Sequence, residues 1–294
     1  MSRLSSIDLA SNPAGASPAL LASVASARVL ISTGDGIEDR TDWVVVEEPL
    51  EIRAGGFGQA PISVAVTMRT PGHDPELAVG FLWTEGLIAP GVEVISATPC
   101  GPKGPDGGSN VIRVVLSEPF DGSGLKRNFF ATSSCGICGK ATLDQVALRC
   151  PVVAPGPVVG RSTLLELPGL LRQAQAAFDR TGGLHAAGIF DADGLPIAVR
   201  EDVGRHNAVD KLIGRALLDG KLPLSGHILM VSGRTSFEIL QKAAAAGLPI
   251  VCAVSAPSSL AISAADQLGI TLVGFLRGST FNLYTHPGRI DAGR

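Results

Sequence analysis

Aromatic side chains are scarce in this chain of 294 residues. Phe, Tyr and Trp together make up only 4% of the sequence, with a single tyrosine, whereas 45% of the residues are apolar. The core must therefore be built mainly from aliphatic side chains. A chain of this length can form one large domain or two ordinary ones.

A large excess of charge is also missing. The formal net charge is −3 and the isoelectric point is near 6.0. Proteins that bind nucleic acids in general carry a strong basic excess, so this balance argues against that class. It leaves room for a local basic patch that binds one phosphate-bearing ligand.

Long apolar runs are absent as well. No run approaches the roughly 20 residues that a membrane-spanning helix needs. Residues 1 to 10 have one arginine and no long apolar stretch, which does not match a secretory signal. The five cysteines are odd in number and scattered, unlike a disulfide framework. We therefore expect a cytoplasmic protein without a membrane segment.

Two of these few cysteines form the most informative motif. Cys135 and Cys138 lie three positions apart in the stretch S-S-C-G-I-C-G, residues 133 to 139. The flanking glycines allow a sharp turn and keep bulk away from the sulfurs, so a large partner can reach them. Two thiols at this spacing can share one sulfur chemistry, in which one attacks and the other resolves or assists.

Two other uses of such a pair stay open. A structural zinc site needs four ligands, usually from two pairs, but Cys100, Cys150 and Cys252 are isolated, so His185 or His206 would have to contribute. A thioredoxin-like disulfide exchanger carries its pair at the first helix of a small βαβ domain, whereas this pair lies far along the chain.

The pattern before the cysteine pair predicts an α+β unit with an antiparallel sheet. A helix is predicted to open with Asp74 as its N-cap and Pro75 at its first position. A short strand is predicted to end at Phe130, and a helix to start near Gly139. The other strands are predicted at residues 42–53, 60–70, 92–98 and 110–116. Residues 151–160, rich in proline and glycine, are the best linker candidate.

After the linker, predicted strands alternate with predicted helices. Helices are predicted at residues 164–180, 205–218, 235–246 and 259–268. Strands are predicted at residues 184–190, 196–200, 227–232, 250–255 and 271–275. This alternation is typical of a mostly parallel sheet covered by helices on both faces, and such sheets bind ligands beyond the carboxyl ends of their strands.

Polar turns occur at two of these strand ends. Arg205 and His206 follow a glycine in the run 201–211, and Arg234 follows a glycine in the run 232–236, each at a helix start. Such turns suit an anion at a helix N-terminus, and the alternative is a pair of capped helices with surface charges. No nucleophile neighbours His206 in the sequence. Neither run has the P-loop or the G-x-G-x-x-G spacing, which disfavours an ordinary ATPase or NAD enzyme.

A third polar segment leaves the last predicted strand, with Tyr284 shortly after it. The segment consists of Phe275, Leu276, Arg277, Gly278, Ser279 and Thr280. Guanidinium groups fit phosphate oxygens and aromatic rings stack on purines. The alternative is a C-terminal segment that packs against the core. His185, among apolar neighbours, is interpreted as a satisfied buried histidine rather than a catalyst.

Four motifs in order along the chain resemble the FdhD family. They are S-S-C-G-I-C-G, R-E-D-V-G-R-H-N-A-V-D-K, S-G-R-T-S-F-E-I-L-Q-K and G-F-L-R-G-S-T-F-N-L-Y. The resemblance covers about residues 40 to 290 and includes T-P-G-H-D-P-E-L-A-V-G-F-L-W-T-E-G-L-I near the start. Members of this family are sulfurtransferase accessory proteins of formate dehydrogenases.

The resemblance implies a sulfurtransferase that works as a persulfide relay. An IscS-like cysteine desulfurase hands sulfur to the C-x-x-C motif. The sulfur then passes to the molybdenum (or tungsten) of the bis(molybdopterin guanine dinucleotide) cofactor, a bound substrate, before insertion into apo formate dehydrogenase. Cys135 matches the persulfide-carrying cysteine, Cys138 its partner and residues 275–280 the cofactor-binding segment. The resemblance also suggests a homodimer.

The resemblance adds an expectation for the fold. The family's C-terminal domain resembles cytidine deaminases, but the zinc signature H-x-E with P-C-x-x-C is absent, so we expect neither deaminase chemistry nor a metal of the protein's own. We predict α/β and α+β parts. They comprise a mobile N-terminal extension over residues 1–40, an α+β domain over 41–134, the C-x-x-C loop and linker over 135–160, and a deaminase-like α/β domain over 161–290.

Two alternative functions accompany the relay. One is a non-catalytic chaperone for the molybdenum cofactor, whose C-x-x-C binds metal or clamps the cofactor. The other is a thiol–disulfide oxidoreductase. For the relay, the thiolate is the sulfur acceptor, and a helix starting near Gly139 would lower the thiol pKa through its positive end.

Overall fold

The structure is a computed structural model that describes residues 7–8, 18–102, 108–122, 152–291 and 293. Helices and sheets are mixed in these residues, which confirms the predicted fold class. The strand predicted to end at Phe130 and the helix predicted from Gly139 lie outside the described residues. No helix within the described ranges has the length and apolar character that crossing a membrane requires.

The first described elements form a long β-ribbon. After α1 (Pro18–Ser23), β2 (Val24–Thr33) and β3 (Gly36–Val45) pair antiparallel in continuous register, and β1 (Ile7–Asp8) joins β2. Residues 24–40, which we assigned to a mostly mobile extension, form paired strands in the structure, and their mobility stays a prediction. The predicted strand 42–53 is accordingly divided between β3 and the next strand.

A four-stranded sheet follows. Its strands are β4 (Glu48–Gly56), β5 (Ile62–Arg69), β6 (Val94–Pro99) and β7 (Val111–Leu116), in the order β5-β4-β7-β6. The central strands β4 and β7 are parallel, so the sheet is mixed and the prediction of an antiparallel sheet is wrong. The apolar residues of α2 (Asp74–Thr84) cover one face and form a core with these strands.

The start of α2 differs from the prediction by one residue. His73, with φ of 60°, occupies the N-cap position, and Asp74 is the first helical residue. The Asp74 carboxylate accepts hydrogen bonds of 3.0 and 2.9 Å from the guanidinium of Arg69, which is only 2% exposed. The Asp74 carboxylate, which the sequence pattern predicted as a helix cap, therefore pairs with buried Arg69 instead.

A six-stranded sheet organises the second half of the chain. Its strands are β9 (His185–Phe190), β10 (Pro196–Asp202), β11 (Ile228–Val231), β12 (Ile250–Ala253), β13 (Thr271–Arg277) and β14 (Thr280–Thr285), in the order β10-β9-β11-β12-β13-β14. Of the five neighbouring strand pairs only β11–β12 and β12–β13 are parallel, so the prediction of a mostly parallel sheet is wrong. The connections β9–β10 and β13–β14 are short, and short connections join antiparallel strands.

Helices cover both faces of this sheet, as predicted. They are α3 (Arg161–Gln173), α5 (Arg205–Leu218), α6 (Phe237–Ala245) and α7 (Ser259–Gln267), while the short α4 (Ala176–Thr181) packs against the first β-ribbon. Buried Leu164, Leu167 and Leu171 of α3 recur at helical spacing and pack on one face, while residues of α5, α6 and α7 form the core on the other. A 3₁₀ turn (Pro287–Arg289) precedes β15 (Ile290–Asp291), which pairs with β8 (Val159–Gly160).

The predicted helix 164–180 is two helices. The break lies at residues 174–175, and the carboxylate of Glu201 accepts hydrogen bonds of 3.1 and 2.9 Å from the backbone N–H groups of Ala177 and Phe178. These groups open α4, and a helix start needs acceptors for its first N–H groups. The cap comes from a distant strand, which the local sequence does not reveal.

Helices α2 and α5 join the two halves of the molecule. They cross at Gly80 and Gly214, where a Cβ added to either glycine would overlap backbone atoms of the other helix. Arg200 binds Glu76 across the same interface, with Nε–Oε2 and Nη2–Oε1 distances of 2.6 and 2.7 Å. The described domains therefore share a close-packed interface, while their predicted boundaries stay a prediction.

Candidate functional site

The cysteine pair falls in residues 123–151, outside the described part of the chain. The structure therefore does not test the roles predicted for Cys135 and Cys138, and Cys150 lies in the same stretch. Of the described cysteines, Cys252 is fully buried in β12 and Cys100 is half-buried just after β6. Burial raises the pKa of the Cys252 thiol, which keeps it protonated.

Polar groups gather at one edge of the six-stranded sheet, which we call the carboxyl edge. It is the edge at which β11, β12 and β13 end. Because β9 is antiparallel to β11, with Ala187 opposite Val231, the start of β9 lies at this same edge. The end of β10 lies there too, since Asp202 is opposite His185. Both glycine–arginine turns therefore meet at one place, as their strand-end positions predicted.

The first of these turns follows β10 and is fixed by Asp202. This residue is 0% exposed, and its Oδ1 accepts hydrogen bonds from the N–H of Gly204 at 2.8 Å and from Nδ2 of Asn207 at 3.0 Å. Its Oδ2 lies 2.7 Å from Nζ of Lys211, which is equally buried. The carboxylate thus shapes the turn before Arg205 while Lys211 balances its charge.

The second turn places Gly233 directly beside His185. The N–H of Ala186 donates to Oγ of Ser232 at 2.9 Å, which holds the turn against the start of β9. A Cβ added to Gly233 would lie 3.3 Å from Nδ1 of His185 and 4.0 Å from Cδ of Arg205. We call the space between the two turns, which Gly233, His185 and Arg205 border, the seat.

Positive charge dominates this seat. Burial, followed by the charges of Arg205 and Arg234, lowers the pKa of His185, although Asp202 opposes the shift. His185 is consequently neutral near pH 7. Among the described residues no carboxylate forms an ion pair with Arg205 or Arg234, and the Nε of Arg205 is buried without a hydrogen-bond partner. This combination suits an anion.

His206 lies in the same turn but faces a different neighbour. Its Nε2 is 3.1 Å from Oγ of Ser236 and 3.8 Å from Oε2 of Glu238. Burial, together with the charges of Arg205 and Lys242, lowers the pKa of His206 to about 4, so the ring is neutral at physiological pH. Ser236 is the N-cap residue of α6, but its hydroxyl makes no capping hydrogen bond. The structure thus gives His206 the hydroxyl neighbour that the local sequence lacks.

The predicted cofactor segment forms the end of β13 and the turn into β14. Phe275 has a φ of 53°, and its N–H donates to the carbonyl of Ser255 at 3.1 Å. The strand pairing is irregular between Gly274 and Arg277, so the backbone there leaves the regular ladder. A positive φ is costly for an aromatic residue and is typical of functional sites in folded proteins.

This irregularity places an aromatic ring and a cation together. The guanidinium carbon of exposed Arg277 lies 5.6 Å from the centroid of the Phe275 ring, within the range of a cation–π contact. Leu276 is fully buried, and the carbonyl of Ser279 accepts a hydrogen bond of 2.7 Å from Nη2 of Arg161. The segment is therefore anchored at Leu276 and Ser279 while Arg277 faces solvent.

The position of Tyr284 favours the alternative interpretation, in which the C-terminal segment packs against the core. It packs against the apolar core, and its Cε2 lies 3.0 Å from the position of a Cβ added to Gly274. The C-terminal segment thus contributes to the core through Tyr284, whereas Arg277 remains accessible. Within the described ranges no three His, Cys, Asp or Glu side chains cluster as metal ligands do.

His185 is the residue that the sequence interpretation missed. It is half-buried and lines the seat, rather than being a core histidine. Its position at the first residue of a strand was the available signal. That signal became meaningful only with the strand direction, because an antiparallel β9 brings its start to the carboxyl edge.

The chain matches a family model and close relatives over most of its length. Residues 45–291 match the model of the FdhD/NarQ family. A protein named sulfur carrier protein FdhD from Mycolicibacterium paratuberculosis is 52% identical over 257 residues, covering 85% of this chain and 93% of the relative. One of the same name from Streptomyces coelicolor is 50% identical over 276 residues, covering 91% and 96%.

A solved structure supports the fold. The crystal structure of a proposed formate dehydrogenase accessory protein from Desulfotalea psychrophila superimposes with a TM-score of 0.68. It is 23% identical in sequence, and the match covers 91% of this chain and 99% of that protein. The likeness shows a shared fold, and the extent of the family and sequence matches confirms the predicted resemblance. This chain belongs to the FdhD/NarQ family.

Proposed function

We propose that this chain is a sulfur carrier for formate dehydrogenase, with Cys135 as the residue that carries a persulfide. The observation that carries the proposal is the C-x-x-C pair in a chain half identical, over 85% and 91% of its length, to two proteins named sulfur carriers. The family resemblance supplies formate dehydrogenase as the recipient. It also suggests a homodimer, while the cysteine usage suggests the cytoplasm, and both stay predictions.

The first chemical step loads the cysteine. The Cys135 thiolate attacks the terminal sulfur of a persulfide on a cysteine desulfurase, a new S–S bond forms on Cys135, and the desulfurase cysteine leaves as a thiolate. No electrons are gained or lost overall. Gly136, next to Cys135, favours this encounter because a glycine adds no side-chain bulk beside the sulfur.

The second step delivers the sulfur. Release at the oxidation level of sulfide requires two electrons, which the thiols of the pair can supply. The Cys138 thiolate attacks the Cys135 sulfur, a Cys135–Cys138 disulfide forms and the terminal sulfur leaves as sulfide for the cofactor metal. A dithiol reductant then restores the pair. The sulfur is thus protein-bound until its release.

The cofactor substrate is proposed to bind at the carboxyl edge. Bis(molybdopterin guanine dinucleotide) carries purine rings and pyrophosphates, which need aromatic surfaces and cationic groups respectively. The segment Phe275–Thr280 presents a ring beside the guanidinium of Arg277, and the two glycine–arginine turns add positive charge. The donor set at this edge fits such a substrate.

The experiment that tests the relay replaces the persulfide cysteine. In cells that lack the native copy, Cys135→Ala should fold normally but leave formate dehydrogenase inactive, since no sulfur reaches the cofactor. Cys100→Ala, which removes an isolated, half-buried thiol just after β6, serves as the matched control and should retain activity. Formate oxidation in extracts and the amount of each variant would be measured together.

Restored formate oxidation with Cys135→Ala would overturn the relay. Guanine-nucleotide binding separates the alternatives, because the carboxyl edge is distinct from the cysteine pair in sequence. A Cys135→Ala variant that binds nucleotide and supports full enzyme activity would favour the non-catalytic cofactor chaperone.

A further inference from the structure

The turn that precedes Arg205 is tied to the first half of the molecule. Thr70, which directly follows β5 in that half, is only 2% exposed. Its N–H donates a hydrogen bond of 3.2 Å to Oδ2 of Asp202, and its Oγ1 accepts one of 3.1 Å from the N–H of Val203. Its carbonyl accepts another, of 3.0 Å, from Nζ of Lys211. One buried residue thus contacts both the turn and the helix after it.

A neighbouring contact strengthens this connection. Nδ2 of Asn207, in the first turn of α5, donates a hydrogen bond of 2.8 Å to the carbonyl of Met68 in β5. The same nitrogen donates to Oδ1 of Asp202, the carboxylate that shapes the turn. The position of the turn therefore depends on residues 68–70 of the first half as well as on its own half.

The loop that contains Thr70 is itself fixed. Its two ends are joined by Arg69 and Asp74, with Nε–Oδ1 and Nη2–Oδ2 distances of 3.0 and 2.9 Å. Between them, Gly72 has a φ of 107° and His73 a φ of 60°, and a positive φ costs free energy in a histidine. Folded proteins keep such backbone only where the surrounding contacts determine it. Thr70 is therefore held at a defined position beside the turn.

We infer that Thr70 is a positioning residue for the cofactor substrate, because it holds the turn that brings Arg205 to the carboxyl edge. The inference rests on the proposed binding of a guanine dinucleotide at that edge. Because Thr70 is buried, it acts through the turn and does not touch the ligand. A turn that is already in place loses less conformational freedom when the ligand binds, so Thr70 increases affinity. Nucleotide binding in the second half thus depends on a residue of the first.

Thr70→Val tests the inference because it replaces the hydroxyl with a methyl group and keeps both backbone contacts. The N–H of Val203 then lacks its acceptor, and the nucleotide has to order the turn as it binds. Affinity for guanosine diphosphate, measured by isothermal titration calorimetry, should fall at least about fivefold, the factor that corresponds to one typical hydrogen bond. Thr70→Ser keeps the hydroxyl and should bind as the unmodified protein does. A serine variant as weak as the valine variant would overturn the inference.

Thr84→Val is the matched control at the interface between the halves. Thr84, the last residue of α2, is also 2% exposed. Its Oγ1 donates to Oδ1 of Asp210 at 2.7 Å and accepts from Nζ of Lys242 at 2.9 Å. This variant should lower the midpoint of thermal unfolding without changing nucleotide affinity. An equal loss of affinity in Thr70→Val and Thr84→Val would show a general loosening of the interface and would contradict a positioning role.

Hydrogen–deuterium exchange of the unmodified protein gives a second readout that needs no variant. Guanosine diphosphate should slow exchange of the backbone N–H groups in residues 66–73 as well as in residues 202–207, because the loop and the turn share the hydrogen bonds of Thr70. Strand β6, at the opposite edge of the first sheet from β5, should exchange equally fast with and without nucleotide. Slower exchange confined to residues 202–207 would overturn the inference even if Thr70→Val failed to fold.

The outcomes separate this inference from the proposed function. If the unmodified protein and a folded Thr70→Val bind guanosine diphosphate equally well, Thr70 does not position the turn, and cofactor binding stands. If the unmodified protein does not bind guanosine diphosphate, the proposed cofactor site fails and the inference fails with it.

Discussion

Arg277 is the exposed charge of the segment that follows β13. Its guanidinium stacks on Phe275 and has no carboxylate partner among the described residues, so it is free to bind a ligand. We predict that Arg277→Ala weakens binding of guanosine diphosphate about tenfold, the effect expected for one lost hydrogen bond to a charged group. Isothermal titration calorimetry measures this change.

A remote arginine provides the comparison for that experiment. Arg215 lies in the last turn of α5, 39% of its side chain is exposed, and it pairs with Asp219. Arg215→Ala removes the same charge and should leave nucleotide affinity unchanged. If Arg277→Ala and the unmodified protein bound guanosine diphosphate with equal affinity, Arg277 would not be a binding residue.

For single residues, the sequence indicated which side chains lie near strand ends, but it did not indicate the contacts and backbone conformations around them. Arg205, Arg234 and Arg277 were singled out because each follows a strand, and the structure places all three near strand ends. The positive φ of Phe275 was not predictable, because it depends on a strand irregularity and on a hydrogen bond to Ser255 in the neighbouring loop. Contacts between distant segments decide such geometry.

The two halves of the molecule pack closely together where α2 crosses α5. At Gly214 an added Cβ would overlap the carbonyl of Glu76, so the helices would have to move apart. We predict that Gly214→Ala lowers the free energy of unfolding by about 3 kcal/mol, at the upper end of the range for overpacked cores. Denaturant unfolding followed by circular dichroism measures the loss.

Gly169 supplies a matched helical glycine. It lies in α3, is exposed, and a Cβ added there meets no atom within 4 Å. Gly169→Ala should be neutral or stabilise the protein by up to about 1 kcal/mol, because alanine has the higher helix propensity. If both alanine variants were equally stable, close packing at Gly214 would not be what holds the helices together.

Elements with a strong local pattern were predicted well. Helix α5 has the predicted bounds, Arg205–Leu218, because its apolar positions recur at helical spacing and a glycine precedes it. Strand β14 was missed because Thr280–Thr285 alternates weakly and pairs with β13 through a short turn. Residues 280–285 form a strand because they pair with β13.

Across the whole molecule, the ion pair between Glu76 and Arg200 links the two halves in a pH-dependent way. Burial raises the pKa of Glu76, but hydrogen bonds from Arg200 and His73 and their charges outweigh it and lower the pKa to about 2. A carboxyl group with a lowered pKa stabilises the fold above its ordinary pKa of 4.5. That stabilisation is lost as the pH falls from 4.5 towards 2.

We therefore predict a pH-dependent effect of Glu76→Gln. The unmodified protein should exceed this variant in free energy of unfolding by the largest margin above pH 4.5, and the margin should shrink steadily towards pH 2. Urea unfolding at a series of pH values measures it, with exposed Glu47→Gln as the control. A margin that stays constant with pH would show that the ion pair is not its source.

The arrangement of the whole chain was only partly predictable. Helices on both faces of the second sheet followed from the alternation of elements, whereas the mixed strand directions did not. Strand order depends on contacts between segments far apart in sequence, such as β9 with β11. The clustering of His185 with Arg205 and Gly233 at the carboxyl edge follows from that order.

Sulfur carriage on the C-x-x-C pair is the central claim. Its most direct test is intact-mass spectrometry after incubation with a cysteine desulfurase, cysteine and pyridoxal phosphate, followed by peptide mapping. The account predicts a gain of one sulfur atom, about 32 Da and lost on thiol reduction, on Cys135 or Cys138 and not on buried Cys252. No sulfur gain, with a desulfurase that loads another acceptor, would contradict it.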